Sequence, residues 1–306
     1  MTTRVGRTTS LVAVLAMVVT LGLAGCAGGG RATNEASSTA AASATSATDV
    51  LAVAVAALPA DIVESGELVI ATDAGSRPVS YRNDGGELVG WEIELGSQLA
   101  ARLGLRARFV VKPFFQIIPG VVSGVSDTGI ASIFATEERS KFVDFVAYYE
   151  AGIAWAAPAG SKVTPDSACG KTVAVRTGTV QETVDLPTKS AACVKAGQGP
   201  IVIKGLPDQE QITNEVVLGY ADAFSADSPV TADAVLQSSG RLVQVGRVYD
   251  MYLCGMPVSK DQPGLARALN LALADLQLDG TYGRLLGKWG VEVGAIRARD
   301  VVSSGS

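Results

Sequence analysis

Between Leu68 and Leu278 the chain alternates short apolar runs with longer amphipathic stretches, and that rhythm restricts its architecture more than any other feature. Leu68–Thr72 (LVIAT) reads as a short apolar strand. Trp91, Leu95, Leu99 and Leu103 recur at i, i+4, which predicts an amphipathic helix over 91–103. Phe109–Val111 and Gly129–Ile133 are further strand candidates, and Thr172–Val175 and Ile201–Lys204 repeat the theme later. Asn214–Leu218, Thr231–Gln237 and Leu265–Leu278 read as helices, the last with Leu265, Leu269, Leu273 and Leu276 on one face. Strands alternating with helices predict an α/β fold with mainly parallel sheets. Two such clusters flank Gly152–Pro158, which suggests two lobes. Asp49–Glu64 reads as a short helical lead-in, broken at Pro59.

The N-terminus addresses location. Arg4 and Arg7 precede an apolar stretch, Leu11–Leu23, and small residues then lead into Leu23-Ala24-Gly25-Cys26. That is the layout of a bacterial secretion signal over residues 1–25. Its end resembles the lipobox of lipoprotein precursors, which implies cleavage before Cys26, diacylation of the Cys26 thiol and a tether to the outer face of the cytoplasmic membrane. The apolar segment is short for a membrane span, whereas acyl chains hold a soluble domain at a surface. A plain secretory signal with an incidental cysteine is the alternative. Residues 26–60 read as a flexible Ala/Ser/Thr-rich stalk with the short lead-in helix, and 297–306 as a flexible tail.

Charge and composition shorten the list of functions. The full chain carries a formal −5, which becomes −7 once Arg4 and Arg7 leave with the signal. An acidic surface argues against nucleic acid. The chain has no histidine, which excludes a histidine general base, a Ser-His-Asp triad and His-ligated zinc. No metal and no cofactor is expected. With Cys26 left to lipid, Cys169, Cys193 and Cys254 allow three pairings on paper. The favoured bridge is Cys169–Cys193, which closes the 169–193 loop and contributes about 3–4 kcal/mol on the chain-entropy estimate. Cys254, within the apolar Tyr252-Leu253-Cys254-Gly255-Met256, is then a buried free thiol.

Several motifs stand in order along the domain: Ala71-Thr72-Asp73 after the first strand, Gly90-Trp91-Glu92-Ile93-Glu94-Leu95, Ile117-Ile118-Pro119-Gly120, Thr136-Glu137-Glu138-Arg139 and Val143-Asp144-Phe145. Gly170-Lys171-Thr172-Val173-Ala174-Val175, Gly178-Thr179, Ala221-Asp222-Ala223-Phe224, Asp279-Gly280-Thr281-Tyr282 and Lys288-Trp289-Gly290 follow. Together, over about residues 61–293, they resemble the family 3 extracellular solute-binding proteins, the amino-acid receptors of ABC importers. The resemblance implies a two-lobed periplasmic-binding-protein-like α/β fold (type II), closing about a hinge of two crossover strands. Lobe one would be 61–153 plus 251–296, and lobe two 154–250. A monomer delivering a small amino-acid-like ligand to an ABC permease is the implied assembly.

The same resemblance nominates a site. A free α-amino acid brings a carboxylate and an ammonium into a dehydrated cleft, and both need charged or multiply bonding partners. Arg139 aligns with the family arginine that grips the α-carboxylate, a bidentate task suited to a guanidinium. Asp227 aligns with the aspartate that receives the α-ammonium, although it could instead cap the helix that follows. Asp73 and Arg176 align with positions facing the ligand side chain, and a cation at 176 would favour an acidic or amide side chain over a basic one. Thr179, with Gly178, is expected to open a helix whose free N–H groups attract the carboxylate. Phe114 aligns with a pocket wall. Ser132 and Phe134 complete the set, with Phe134 standing where relatives carry a hydroxyl and Ser76 where they carry an aromatic ring.

Other chemistries fit less well. Lys171-Thr172 after Gly170 hints at a phosphate loop, but Pro165 replaces the required glycine and the segment precedes a strand. Glu92 and Glu94 point apart on a helix and read as a solvated face rather than an acid–base pair. The protein is therefore read as a binding protein and not an enzyme. A ligand-sensing receptor for a membrane signalling partner is one alternative, and a dehydratase-like enzyme on the same fold is another.

Overall fold

The computed structural model describes residues 47–297, so the secretion signal, Cys26 and the stalk up to 46 lie outside the described residues, as do residues 298–306 of the tail. Eight strands form the main sheet: β1 Glu67–Thr72, β2 Arg106–Val111, β3 Thr128–Gly129, β4 Val143–Pro158, β5 Thr172–Arg176, β6 Val202–Leu206, β7 Ala223–Asp227 and β8 Leu242–Ser259. Their order is β2-β1-β3-β8-β4-β7-β5-β6. β1 pairs in parallel with β2 and β3, and β5 pairs in parallel with β6 and β7. β4 and β8 run antiparallel to each other through both halves. Their register slips between Val245 and Tyr249 and again between Tyr249 and Tyr252, opposite Ile153 and Ala151. Irregularities of this kind bend a strand, and here they fall in the central pair that joins the two parallel halves of the sheet.

The expected mainly parallel sheet is thus parallel only within each lobe. A chain that leaves one lobe and returns must cross twice in opposite senses, which makes the central pair antiparallel. Gly129–Ile133 is also not a strand throughout. Pairing ends at Gly129, because the Ser132 N–H turns to a side chain instead of the ladder. The helix expected over 214–218 begins at Gln209, where Asp208 accepts from the Gln211 N–H (2.8 Å) and caps it. The lead-in forms two helices, Ala47–Ala56 and Ala60–Ser65, either side of Pro59.

Packing follows the predicted stripes. Trp91, Leu95, Leu99 and Leu103 are buried, as are Leu265, Leu269, Leu273 and Leu276, and Ala54 and Leu58 of the lead-in join the same core. Trp91 lies against Tyr148 and Tyr149 with ring centroids 5.8 and 4.7 Å away. A second cluster joins Val79 to Ile212, Val216, Phe224 and Val230. Cys169 and Cys193 are joined by a disulfide, and Cys254 is a buried free thiol. No described helix is long and apolar enough to cross a membrane.

Candidate functional site

The cleft is built from strand ends. β1 ends at Thr72, so Asp73 emerges beside the small sheet Gly75–Ser76, Ser80–Arg82 and Leu88–Val89. Thr136 caps the one-turn helix Glu137–Ser140 by accepting from the Arg139 N–H (3.3 Å), which fixes where Arg139 starts. From the other half of the sheet, β5 ends on Arg176 and β7 on Asp227. Arg139, Arg176, Asp227, Phe114, Ser132, Phe134 and Thr179 line one pocket, and Asp73 reaches it through Arg176. All eight nominated residues therefore converge.

The two arginines are held differently. Arg139 donates to the Phe134 carbonyl (2.9 Å) and, across the cleft, to the Gly178 carbonyl (3.1 Å). Arg176 donates to Asp73 Oδ2 and to Ser76 Oγ (2.9 Å), a buried ion pair between lobes. Asp73 is completed by the Ser80 hydroxyl on Oδ1 (3.0 Å). Phe114 lies beneath both guanidiniums, 4.3 Å from Arg176 and 5.5 Å from Arg139. Burial lowers the Arg139 pKa, Asp227 opposes that shift, and the neighbouring Arg176 adds to it.

Asp227 stands at the start of helix Ser228–Gln237 yet its side chain does not cap it. Its Oδ1 instead accepts from Gln181 Nε2 (2.7 Å). Burial pushes this carboxyl up to about 6, while Arg176, Gln181 and Arg139 hold it down. The expected free N–H groups at 178–179 are not free. Gly178 N–H donates to Glu182 Oε2 (2.7 Å), and the Thr179 hydroxyl donates to the Arg176 carbonyl (2.7 Å). A helix start with acidic Glu182 one turn along satisfies itself, so it offers the carboxylate less than sequence suggested. Phe134 stacks on Tyr252 with centroids 4.7 Å apart, which makes it a wall of the cleft.

Glu92 corrects a reading. It does not lie on a solvated face with Glu94: it is fully buried, while Glu94 pairs with Lys288 (2.6 Å). The Ser132 N–H and hydroxyl donate to Glu92 at 2.9 and 2.8 Å, and the Tyr148 hydroxyl donates to the same oxygen. Burial raises its pKa to about 8 against these hydrogen bonds. Glu92 thereby holds Ser132 at φ 48°, a backbone conformation uncommon for serine. An acid in the first turn of a helix is ordinary, so the sequence carries no signal of this role. Ser76 and Gln181 were likewise unflagged as cleft ligands of Arg176 and Asp227.

Two glycines let the lobes meet. A Cβ on Gly178 (φ +84°) would lie 2.8 Å from Phe115 Cβ, and one on Gly75 would lie 2.6 Å from Asp208 Cβ.

The family model for bacterial extracellular solute-binding proteins, family 3, matches residues 68–292. The chain is similar to an arginine-binding protein of Corynebacterium glutamicum, with 32% identity over 271 residues covering 86% of this chain and 87% of that one. Among solved structures, an ancestral arginine-binding protein bound to glutamine matches with a TM-score of 0.68 and 31% identity, over 74% of this chain and 99% of the other. An ancestral amino acid-binding protein described as a precursor of cyclohexadienyl dehydratase matches with a TM-score of 0.65 and 29% identity, over 75% and 97%.

Proposed function

The chain belongs to the family 3 bacterial extracellular solute-binding proteins, and from that premise we propose that it is a lipid-anchored receptor, tethered through Cys26, that closes on one α-amino acid and hands it to an ABC permease. It is an extracytoplasmic amino-acid-binding receptor of the ABC-transport type. The finer reading assigns the α-carboxylate to Arg139 and the α-ammonium to Asp227, with Phe114, Ser132 and Phe134 as walls. It also assigns lobe one to 61–153 plus 251–296, lobe two to 154–250, and a monomer as the working form.

One observation supports it above the others. Arg139, just before β4, and Asp227, at the end of β7, line the same pocket and are held there by neutral partners rather than by each other. A zwitterion bridging them would stabilise the closed arrangement over an open one. Arg139→Ala and Asp227→Ala should each weaken amino-acid binding by about 2–5 kcal/mol, read by calorimetry. Unchanged affinity in both refutes the assignment. The likeness to a dehydratase precursor gives the enzyme reading its footing, and mass spectrometry of the bound ligand decides it: recovery of a converted product would replace the receptor reading.

A further inference from the structure

We infer that Arg176 occupies, from within the chain, the subsite that a basic ligand side chain would fill, so that the receptor selects α-amino acids with uncharged polar side chains. This rests on the receptor reading above and adds the substrate class. Arg176 is buried, its guanidinium bonds Asp73 and Ser76 across the cleft, and the Ser80 hydroxyl completes Asp73. The acid that could attract a ligand cation is already satisfied by the protein's own arginine.

Charge counting points the same way. Arg139, Arg176, Asp73 and Asp227 sum to zero, and a zwitterion with a neutral side chain leaves that sum unchanged. A lysine or arginine ligand would add a cation beside Arg176, and a glutamate would add an anion beside Asp73. Uncompensated charge in a buried site is strongly unfavourable.

A second observation adds polar groups next to that pair. A further small, water-sized cavity is lined by Ser76, Gln209, Ser225 and Val230, and it shares Arg176, Thr179, Gln181 and Asp227 with the first. Ser225, which lines it, is 1% exposed, and its Oγ has no hydrogen-bond partner among the described residues. Buried hydroxyls are normally satisfied. A ligand whose α-groups lie between Arg139 and Asp227 could reach Ser225 and Gln209 with an amide or hydroxyl.

The test is a calorimetric and thermal-shift panel on the full chain with glutamine, asparagine, serine, arginine, lysine and glutamate. A neutral polar ligand should bind about 30-fold or more tighter than either arginine or lysine. Arg176→Leu should reverse that order toward arginine and lysine, and Asp73→Asn should shift it toward glutamate. If either variant does not fold, the wild-type ranking and the other variant still decide. Tighter wild-type binding of arginine or lysine, or an Arg176→Leu ranking like that of wild type, overturns the inference and leaves the receptor reading intact. Binding of no amino acid at all overturns both.

Discussion

Two arginine–aspartate pairs in one pocket hold the same groups and use them in opposite ways. Arg176 and Asp73 are joined directly, so the protein closes on itself there. Arg139 rests on two carbonyls, and Asp227 accepts a hydrogen bond from an amide, which are neutral partners. A ligand carboxylate or ammonium outcompetes such partners because it adds an attraction between full charges that a carbonyl or amide lacks, and that attraction is strong where water is scarce. The same residue types therefore give a binding end and a closing end in the sense of role, and only the partner distinguishes them.

The largest effect that could break this contrast is Arg139→Ala. It should weaken every α-amino acid alike by the 2–5 kcal/mol given above, whereas Arg176 variants should re-rank ligands. If Arg139→Ala re-ranks them instead, the ends have been assigned the wrong way round.

Next comes Glu92, which accepts from Ser132 of the pocket wall. The Glu92 carboxyl is raised from 4.5 to about 8, so between those values the folded state keeps a proton that the unfolded chain has lost. The stabilisation is complete below 4.5 and disappears as pH rises through about 8. Its size is on the order of 5 kcal/mol. Melting temperature should therefore fall with rising pH across that window, and Glu92→Gln should flatten the slope. An unchanged slope in Glu92→Gln shows that the titration lies elsewhere.

A smaller effect concerns Asp227. Its carboxyl is pushed up to about 6 in the free cleft, and it must be ionised to receive an ammonium. Affinity should be constant well above that value and fall by about tenfold per pH unit below it. Asp227→Asn should bind weakly at all pH values without this dependence, measured by titration calorimetry.

The smallest effect tests closure at the Asp73 end. Gly75→Ala places a Cβ against Asp208, so the lobes must separate slightly, and ligand binding should weaken by about 1 kcal/mol. Thermal stability without ligand should change less than affinity; equal losses in both would mean that the clash acts on folding rather than on closure.

Much of this was legible in the chain alone. The apolar stripes at Trp91–Leu103 and Leu265–Leu278 and the short strands determine an α/β fold, because periodicity records which face of an element must leave water; the two-lobed receptor came from the resemblance that the ordered motifs carry. The motifs also nominated Arg139 and Asp227. Only the tertiary structure decided that Arg176 meets Asp73, a residue 103 positions away, and that Glu92 is buried under Ser132 while Glu94 is not. Sequence gives the type of a charged group, but whether that group is met by the protein or left for a ligand depends on distances across a cleft that no local pattern encodes.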